Sequence, residues 1–557
     1  MIDQSSSALG RSSACRDGGR GRPGGTGRDN IANLLIQAAE RHPDRTALRF
    51  DGDGLNYAQF VETVRAAAGG LLRLGLEPGD RVGVYLEKGF EAVIALFATV
   101  AAGGAFVPIN PLLKPRQVGY ILQDCDVRIL VTSAFRLEGL AEQFTAAPNL
   151  EAVVLTASDA KAGSTSLPFS ALAWKDLVSS SEGKAIPQER NGDDLAAILY
   201  TSGSTGLPKG VMISHRNLSV GAKSVSSYLE NDANDRILSV LPLSFDAGLS
   251  QLTTALYSGA CCVLQNYLLP RDVVRICAAE RITGITGVPP LWIQLAQLKW
   301  PRDASESLRY FANTGGHMPR VTLDRLRAIF PQAKPYLMYG LTEAFRSTYL
   351  DPTEVDRRPD SIGKAIPNAE ILVVRADGSI CDPDETGELV HCGPLVSLGY
   401  WNDPERTAER FRPRPGAAGD DVEAQIAVWS GDSVRMDEEG FLYFVGRRDS
   451  MIKTSGYRVS PTEVEEIAYA SGLIGEAIAL GIAHPVLGQA IVVVATPQVG
   501  ENLDSEALLA CYRRDLPGFM VPHRIIARDA LPRNANGKLD REALALELSD
   551  IFSGAPV

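Results

Sequence analysis

The stretch that most constrains this chain is residues 200–210, which read Y-T-S-G-S-T-G-L-P-K-G. An apolar run at 195–200 leads into it and a second run, 211–214, leads out. These flanks predict strand, loop, strand. The hydroxyl residues and glycines between them let backbone N–H groups and side-chain oxygens converge on a phosphate without obstruction by Cβ atoms. Lys209 adds a compact positive charge. The P-loop pattern of Gly-Lys-Ser/Thr opening a helix is excluded, because Lys209 precedes Gly210 and an apolar run. A Gly/Ser/Thr loop by itself is more often a connector than a ligand site, so the rest of the chain has to decide.

With 557 residues the chain is long enough for two or more domains. Its hydrophobic content of 45% and charged content of 22% are those of an ordinary soluble globular protein. A net charge of −12 argues against a general nucleic-acid-binding surface. The cysteines show no metal-ligand spacing and, apart from Cys261-Cys262, lie far apart, which fits a reducing, cytoplasmic setting. Residues 1–28 are rich in Gly, Ser and Arg with no apolar core, so they read as a disordered tail or an overlong gene start rather than a signal peptide. The longest apolar run, 92–109, is broken by Gly103-Gly104. It predicts a buried helix followed by a buried strand, with no stable membrane insertion.

Apolar strands and amphipathic helices alternate from residue 31 to about 155, which implies layered α/β structure with largely parallel sheets. A helix is expected near 137–144, and residues 156–190 read as a polar, irregular linker. Beyond the opening loop, strands at 236–241, 281–287 and 308–313 run into short loops of small and polar residues: 242–248, 288–290 and 314–317. A helix is expected at 249–257. Strand ends of this kind build the site of an α/β enzyme at the sheet edge. From about 360 short strands and turns dominate, giving a small β-rich subdomain. Ser460-Pro461-Thr462-Glu463 reads as a capping box opening a helix, within a small C-terminal α+β domain. The expected organisation is a tail at 1–28, an N-terminal core at 29–448, a hinge at 449–450, a mobile C-terminal domain at 451–550 and a tail at 551–557.

Seven motifs now stand in order: the 200–210 loop, Tyr339-Gly340-Leu341-Thr342-Glu343, Gly387-Glu388-Leu389, Gly399-Tyr400-Trp401, Trp429-Ser430-Gly431-Asp432, Gly446-Arg447-Arg448-Asp449 and Asn536-Gly537-Lys538. Together they resemble the adenylate-forming superfamily of acyl-CoA synthetases, nonribosomal peptide synthetase adenylation domains and luciferases, over about residues 30–548. The stretches 339–350 and 451–460 look most like acyl-CoA ligases associated with exosortase systems.

The resemblance implies an AMP-forming acid–thiol ligase using ATP and Mg²⁺, with CoA or a phosphopantetheine thiol as co-substrate. Thr201, Ser202, Gly203, Ser204, Thr205, Gly206 and Lys209 would hold the triphosphate. Tyr339 would stack on adenine, Thr342 would touch the α-phosphate and Glu343 would hold the metal. Asp432, helped by Arg447, would bind the ribose, and Lys538 would bridge the carboxylate and α-phosphate. Asp449 would be the hinge, with Lys453, Gly456 and Tyr457 facing the thiol. These residue types suit the reaction: a carboxylate approaching a phosphate needs positive charge, and an ionised Asp is acceptor-only, as diol recognition requires. A thiol is partly ionised near neutral pH and needs no strong base. His215, the one histidine worth weighing as a base, reads better as structural.

The acid itself is open at this point. Ser244-Phe245-Asp246-Ala247-Gly248 resembles the amino-acid-activating branch, where such an aspartate binds the α-ammonium group, whereas 452–460 resembles acyl-CoA ligases. Asp246, Gly315 and Arg346 are the candidate acid-binding residues. Arg346 either holds a second carboxylate, pairs with Asp246 or lies at the surface. The acceptor is either free CoA or a carrier protein acting in trans, since no carrier domain is expected before Val557.

Overall fold

The computed structural model describes residues 30–156, 169–179, 188–201, 208–316, 318, 320–416, 425–447, 451–498, 502–532 and 539–553. The opening hairpin lies at the edge of a seven-stranded sheet. In order, its strands are Ser170–Ala173, Ala152–Leu155, Val127–Thr132, Arg81–Tyr85, Ala105–Pro108, Leu195–Thr201 and Lys209–Ser214. All neighbours are parallel except the last pair, which is antiparallel, with Thr201 opposite Lys209.

A second sheet has a parallel centre and an antiparallel end. The centre runs Lys334–Tyr339, Tyr310–Asn313, Gly284–Gly287, Arg236–Ser239, Cys261–Leu264 and Thr46–Phe50. The short strands expected after 360 continue this sheet through Thr348–Leu350 and Ser361–Ala365 to Leu442–Arg447 and Ile426–Met436. Helices Tyr57–Arg73, Phe90–Ala101, His215–Tyr228 and Asp246–Ser258 contribute to one buried cluster that also takes Val82 and Ile129 from the first sheet and Leu48 and Ile237 from the second. Ten of the twelve residues of Phe90–Ala101 are buried, so this run spends its apolar surface inside the protein. Among the described residues no helix is long and apolar enough to cross a membrane.

The C-terminal α+β domain has its own five-stranded sheet, with Ile474–His484 and Gly488–Pro497 as its longest antiparallel pair. Helix Pro461–Ala470 packs on it, and its buried cluster includes Val464, Ile491 and Leu508. The Ser460 hydroxyl accepts the Glu463 N–H, as the capping box requires, but the Glu463 carboxylate does not return to the cap. It accepts from the Gln117 side chain of the N-terminal core at 2.9 Å instead.

Three local expectations need correction. The stretch expected to be an irregular linker contains edge strand Ser170–Ala173 and helix Trp174–Ser179. Both are too short to show a period, and Leu177 is seated on Gly70, where a Cβ would come within 2.4 Å of its carbonyl oxygen. The helix expected at 137–144 divides at Gly139 into an α-helix, Ala134–Gly139, and a 3-10 helix, Ala141–Ala146. The helix expected at 249–257 starts earlier, at Asp246, which puts that carboxylate in its first turn. Gly248 allows this early start, because a Cβ there would stand 1.9 Å from the Pro242 carbonyl oxygen. Gly248→Ala is therefore expected to destabilise the core by about 1–3 kcal/mol, read as a lower thermal midpoint. An unchanged midpoint would contradict the close approach.

Candidate active site

Strand Lys209–Ser214 aims Lys209 at the turn that follows strand Lys334–Tyr339. The Lys209 Nζ stands 3.0 Å from Glu343 Oε1 and donates to the Tyr400 hydroxyl at 2.8 Å. That hydroxyl in turn donates to the same carboxylate oxygen at 2.7 Å. Glu343 is 4% exposed. Burial pushes its carboxyl up, but the charges of Lys209 and Arg458 and the Tyr400 hydrogen bond outweigh this and hold it far below the usual carboxylate range. Burial lowers the Lys209 ammonium, and Glu343 offsets only part of that. The second oxygen, Glu343 Oε2, is buried and has no hydrogen-bond partner. Neither Tyr400 nor Arg458 was given a role from sequence. A bridge pairing Val211 with Tyr400 sets the tyrosine beside the hairpin, a non-local contact that the Gly-Tyr-Trp motif only hinted at.

Thr342, Glu343 and Ala344 form a 3-10 turn. Phe345 then takes φ 54° and ψ −45°, a left-handed region that costs a non-glycine residue on the order of 1–3 kcal/mol. Gly221 leaves the space for its ring, since a Cβ there would lie 2.6 Å from Phe345 Cδ1. The turn sends Arg346 inward to 2% exposure, which excludes the surface reading. Its Nη1 donates to Thr314 Oγ1 at 2.8 Å, while Nε has no partner. Asp246 feels the Arg346 charge through space and accepts its contact hydrogen bond from the Ala247 N–H at 2.7 Å. Burial raises the Asp246 carboxyl, and Arg346 acts in the opposite direction.

Asp246, Thr314 and Gly315 line a cavity of about 1610 Å³, together with Tyr339 and Thr342. Arg346 stands behind that wall, in contact with Thr314. The Tyr339 hydroxyl donates to Asp432 Oδ2 at 2.5 Å, and Asp432 is fully buried on strand Ile426–Met436, opposite Arg447 in register. His215 is buried at the start of its helix, where Nδ1 accepts the Ile31 N–H at 3.2 Å. Burial lowers it to about 3, so it stays neutral, in keeping with a structural role.

The far side of the cavity comes from the C-terminal domain, through Lys453, Gly456, Tyr457 and Arg458. Ser455 and Gly456 have φ 52° and 83°, forming the tight turn of a hairpin. A Cβ on Gly456 would meet Val288 Cγ1 at 2.9 Å. The Tyr457 ring lies 4.9 Å from Phe245 of the core and stacks on Phe519 at 3.6 Å. The Lys453 ammonium is 4.9 Å from the centre of the Phe444 ring. Thr201 ends its strand at the cavity. Residues Ser202, Gly203, Ser204, Thr205, Gly206, Asp449 and Lys538 lie outside the described residues, as does the side chain of Arg447.

Removing one partner of a buried ion pair strands the other charge. Lys209→Met is therefore expected to cost about 3–5 kcal/mol of stability, and adding Glu343→Gln should recover most of it. Because the folded carboxyl sits below its unfolded value, this contribution is complete above the ordinary carboxylate range and is lost as pH falls below it. Urea unfolding of the two single variants and the double variant measures the coupling; strictly additive losses would contradict it.

Comparison with known proteins places this geometry. The family model described as AMP-binding enzyme matches residues 35–401, and that described as AMP-binding enzyme C-terminal domain matches 463–538. A linear gramicidin synthase of Brevibacillus parabrevis is 30% identical over 531 residues, covering 92% of this chain and 10% of that protein. Tyrocidine synthase 3 of the same organism is 29% identical over 518 residues, covering 92% of this chain and 8% of that protein. The chain thus spans about a tenth or less of the length of these relatives. The crystal structure of ATP-bound MatB from Rhodopseudomonas palustris is 27% identical, with a TM-score of 0.65, covering 94% of this chain and 100% of that one. The amide bond synthetase McbA from Marinactinospora thermotolerans, at 23% identity, shares the fold with a TM-score of 0.80 over 93% of this chain and 99% of its own. The two family matches in chain order, over a cavity walled by both regions, show that the chain belongs to the AMP-binding enzyme family.

Proposed function

We propose that this enzyme joins a carboxylic acid to a thiol in two steps, consuming ATP and releasing AMP and pyrophosphate. The observation that carries the reading is the Lys209–Glu343–Tyr400 cluster, with Glu343 and Tyr400 buried and Lys209 half-buried, beside a cavity that the core and the C-terminal hairpin wall together. In the first step a carboxylate oxygen attacks the α-phosphorus of ATP. The bond to the β-phosphate breaks and pyrophosphate leaves. In the second step the thiol sulfur attacks the acyl carbon, the thiol proton passes to solvent and AMP departs.

Each residue has a task in that scheme. The 201–209 loop holds the triphosphate, Thr342 contacts the α-phosphate, and Tyr339 packs against the adenine. Asp432 accepts from the ribose hydroxyls, and Arg447 helps to hold the ribose. Lys538 bridges the carboxylate and the α-phosphate, where negative charge accumulates. The buried, partnerless Glu343 Oε2 suits Mg²⁺, a hard ion that takes one or two carboxylates and completes its shell with phosphates and water. Bound there, Mg²⁺ would lend positive charge to the phosphate oxygens. Among the described residues no cluster of His, Cys, Asp or Glu offers an all-protein cage instead.

The C-terminal domain has two faces to present. The hairpin of Lys453, Gly456 and Tyr457 stands at the cavity, which suits the thiol step. Lys538 belongs to the adenylation step, so the domain rotates about Asp449 between steps. The 1610 Å³ cavity extends beyond the acid wall toward His484 and Leu487 of the C-terminal domain, which leaves a route for the thiol of CoA. An amino-acid substrate with transfer to a carrier protein in trans is the alternative that Asp246 favours, since a first-turn carboxylate facing the cavity suits an α-ammonium group. The finer likeness to exosortase-associated acyl-CoA ligases rests on residues 339–350 and 451–460. A cytoplasmic setting fits the use of ATP and a free thiol.

ATP–pyrophosphate exchange over the standard amino acids, fatty acids and aryl acids tests the first step and names the acid. Exchange is expected with at least one class and is expected to vanish in Lys538→Ala. Amino-acid exchange lost in Asp246→Ala supports the alternative; fatty-acid exchange indifferent to that substitution removes it. The absence of exchange with every acid would contradict the proposal. Gly456→Leu should drive a side chain into Val288 and lower thioester formation on the order of 100-fold, with pyrophosphate exchange retained. Equal loss of both would contradict the division of labour.

A further inference from the structure

Lys88 lies behind the acid wall, between strand Arg81–Tyr85 and helix Phe90–Ala101. It is 8% exposed. Its Nζ donates to three consecutive carbonyls: Ser239 at 2.9 Å, Val240 at 2.8 Å and Leu241 at 3.2 Å. These carbonyls end strand Arg236–Ser239, where the chain leaves the sheet. An ammonium group has three N–H bonds and no acceptor, so it matches this edge in number. Asn266 clamps the Lys88 backbone, accepting its N–H at 3.3 Å and donating to its carbonyl at 2.7 Å. Gln251 braces the same edge from the helix side, donating to Leu238 and Thr286 carbonyls at 2.8 and 2.9 Å and accepting from Leu241 N–H at 3.3 Å.

The next residues are the acid wall. The Phe245 N–H closes a turn on the Pro242 carbonyl at 3.1 Å. Asp246 then opens its helix, with Gly248 pressed on Pro242. With so little slack between Leu241 and Asp246, the height of the 239–241 edge sets where the Asp246 carboxylate and Phe245 ring stand in the cavity. An ammonium with only carbonyl partners is a costly way to stabilise a core; a well-packed apolar side chain would serve packing alone.

We propose that Lys88 is a positioning residue for acid recognition: it anchors the 239–241 edge and, through it, the Phe245–Asp246 wall. This rests on reading the cavity as the acid site. Burial lowers the ammonium to about 7. The titratable groups that face it are Cys262 on the neighbouring strand and Glu87 beside it. As pH rises through that value Lys88 loses its third N–H, so acid binding weakens while ATP binding does not.

Full-length Lys88→Met tests this by two readouts. Amide hydrogen exchange at residues 241–247 should quicken on the order of tenfold. In pyrophosphate exchange over the acid panel, KM for the preferred acid should rise on the order of tenfold, with KM for ATP unchanged, and Lys88→Arg should restore part of the loss. In the wild type, acid KM should climb between about pH 6 and pH 8.5, either side of the lowered value, a readout that stands even where Lys88→Met does not fold. Unchanged amide protection together with unchanged acid KM in Lys88→Met would overturn the proposal, as would a flat wild-type acid KM. If no acid supports exchange, the ligase reading fails while amide protection still decides for or against Lys88.

Discussion

The contact on which the site depends is a part-buried salt bridge at the meeting of two sheets. Lys209 comes from the edge hairpin of the seven-stranded sheet and Glu343 from the turn after a central strand of the other. Tyr400 touches both. Taking two charges out of water is expensive, and folding alone gives no reason to retain them. Their value lies in what they leave poised: an ionised carboxylate with one buried, partnerless oxygen, and an ammonium at the root of the loop proposed to hold phosphate. The same contact ties the hairpin to the turn carrying Thr342, so the residues proposed for the two halves of the nucleotide site are held together.

Around that contact the protein arranges two different walls. The core wall, with Asp246, Thr314 and Gly315, is built on strand ends and a helix first turn. Its buried supports, Lys88, Gln251 and Arg346, pair with carbonyls or hydroxyls rather than with carboxylates. The opposite wall is a hairpin tip on a domain with its own sheet and core. Side chains that join it to the core include Gln117 with Glu463 and Phe245 with Tyr457. Glu463 is buried at that seam, and burial raises its carboxyl to about 7 while the Gln117 hydrogen bond acts in the opposite direction. A wall from the core facing a wall from a separate domain suits the proposed reaction, whose two steps need different groups over the same substrate.

Much of this could be read from the residues. The strand–loop–strand around Lys209, the alternating α/β texture and the C-terminal domain follow from periods and turns, and the order of the motifs carried the family. What could not be read were contacts between distant segments. Tyr400 gave no chemical signal until the bridge to Val211 set it beside Lys209. Arg346 was readable as a charge near the site, but not as one behind the wall, because the left-handed turn at Phe345 and the gap at Gly221 decide its direction. Glu463 satisfied the pattern of a capping box, yet a partner 346 residues away in sequence claimed its carboxylate. Edge strand Ser170–Ala173 was invisible to periodicity because four residues carry too little pattern.

The central claim is that a carboxylate oxygen attacks the α-phosphorus of ATP. A single turnover with an acid carrying heavy oxygen in its carboxylate, followed by mass spectrometry of the products, tests it most directly. The account expects one labelled oxygen in AMP and none in pyrophosphate. Label in pyrophosphate or orthophosphate, or unlabelled AMP, would contradict it.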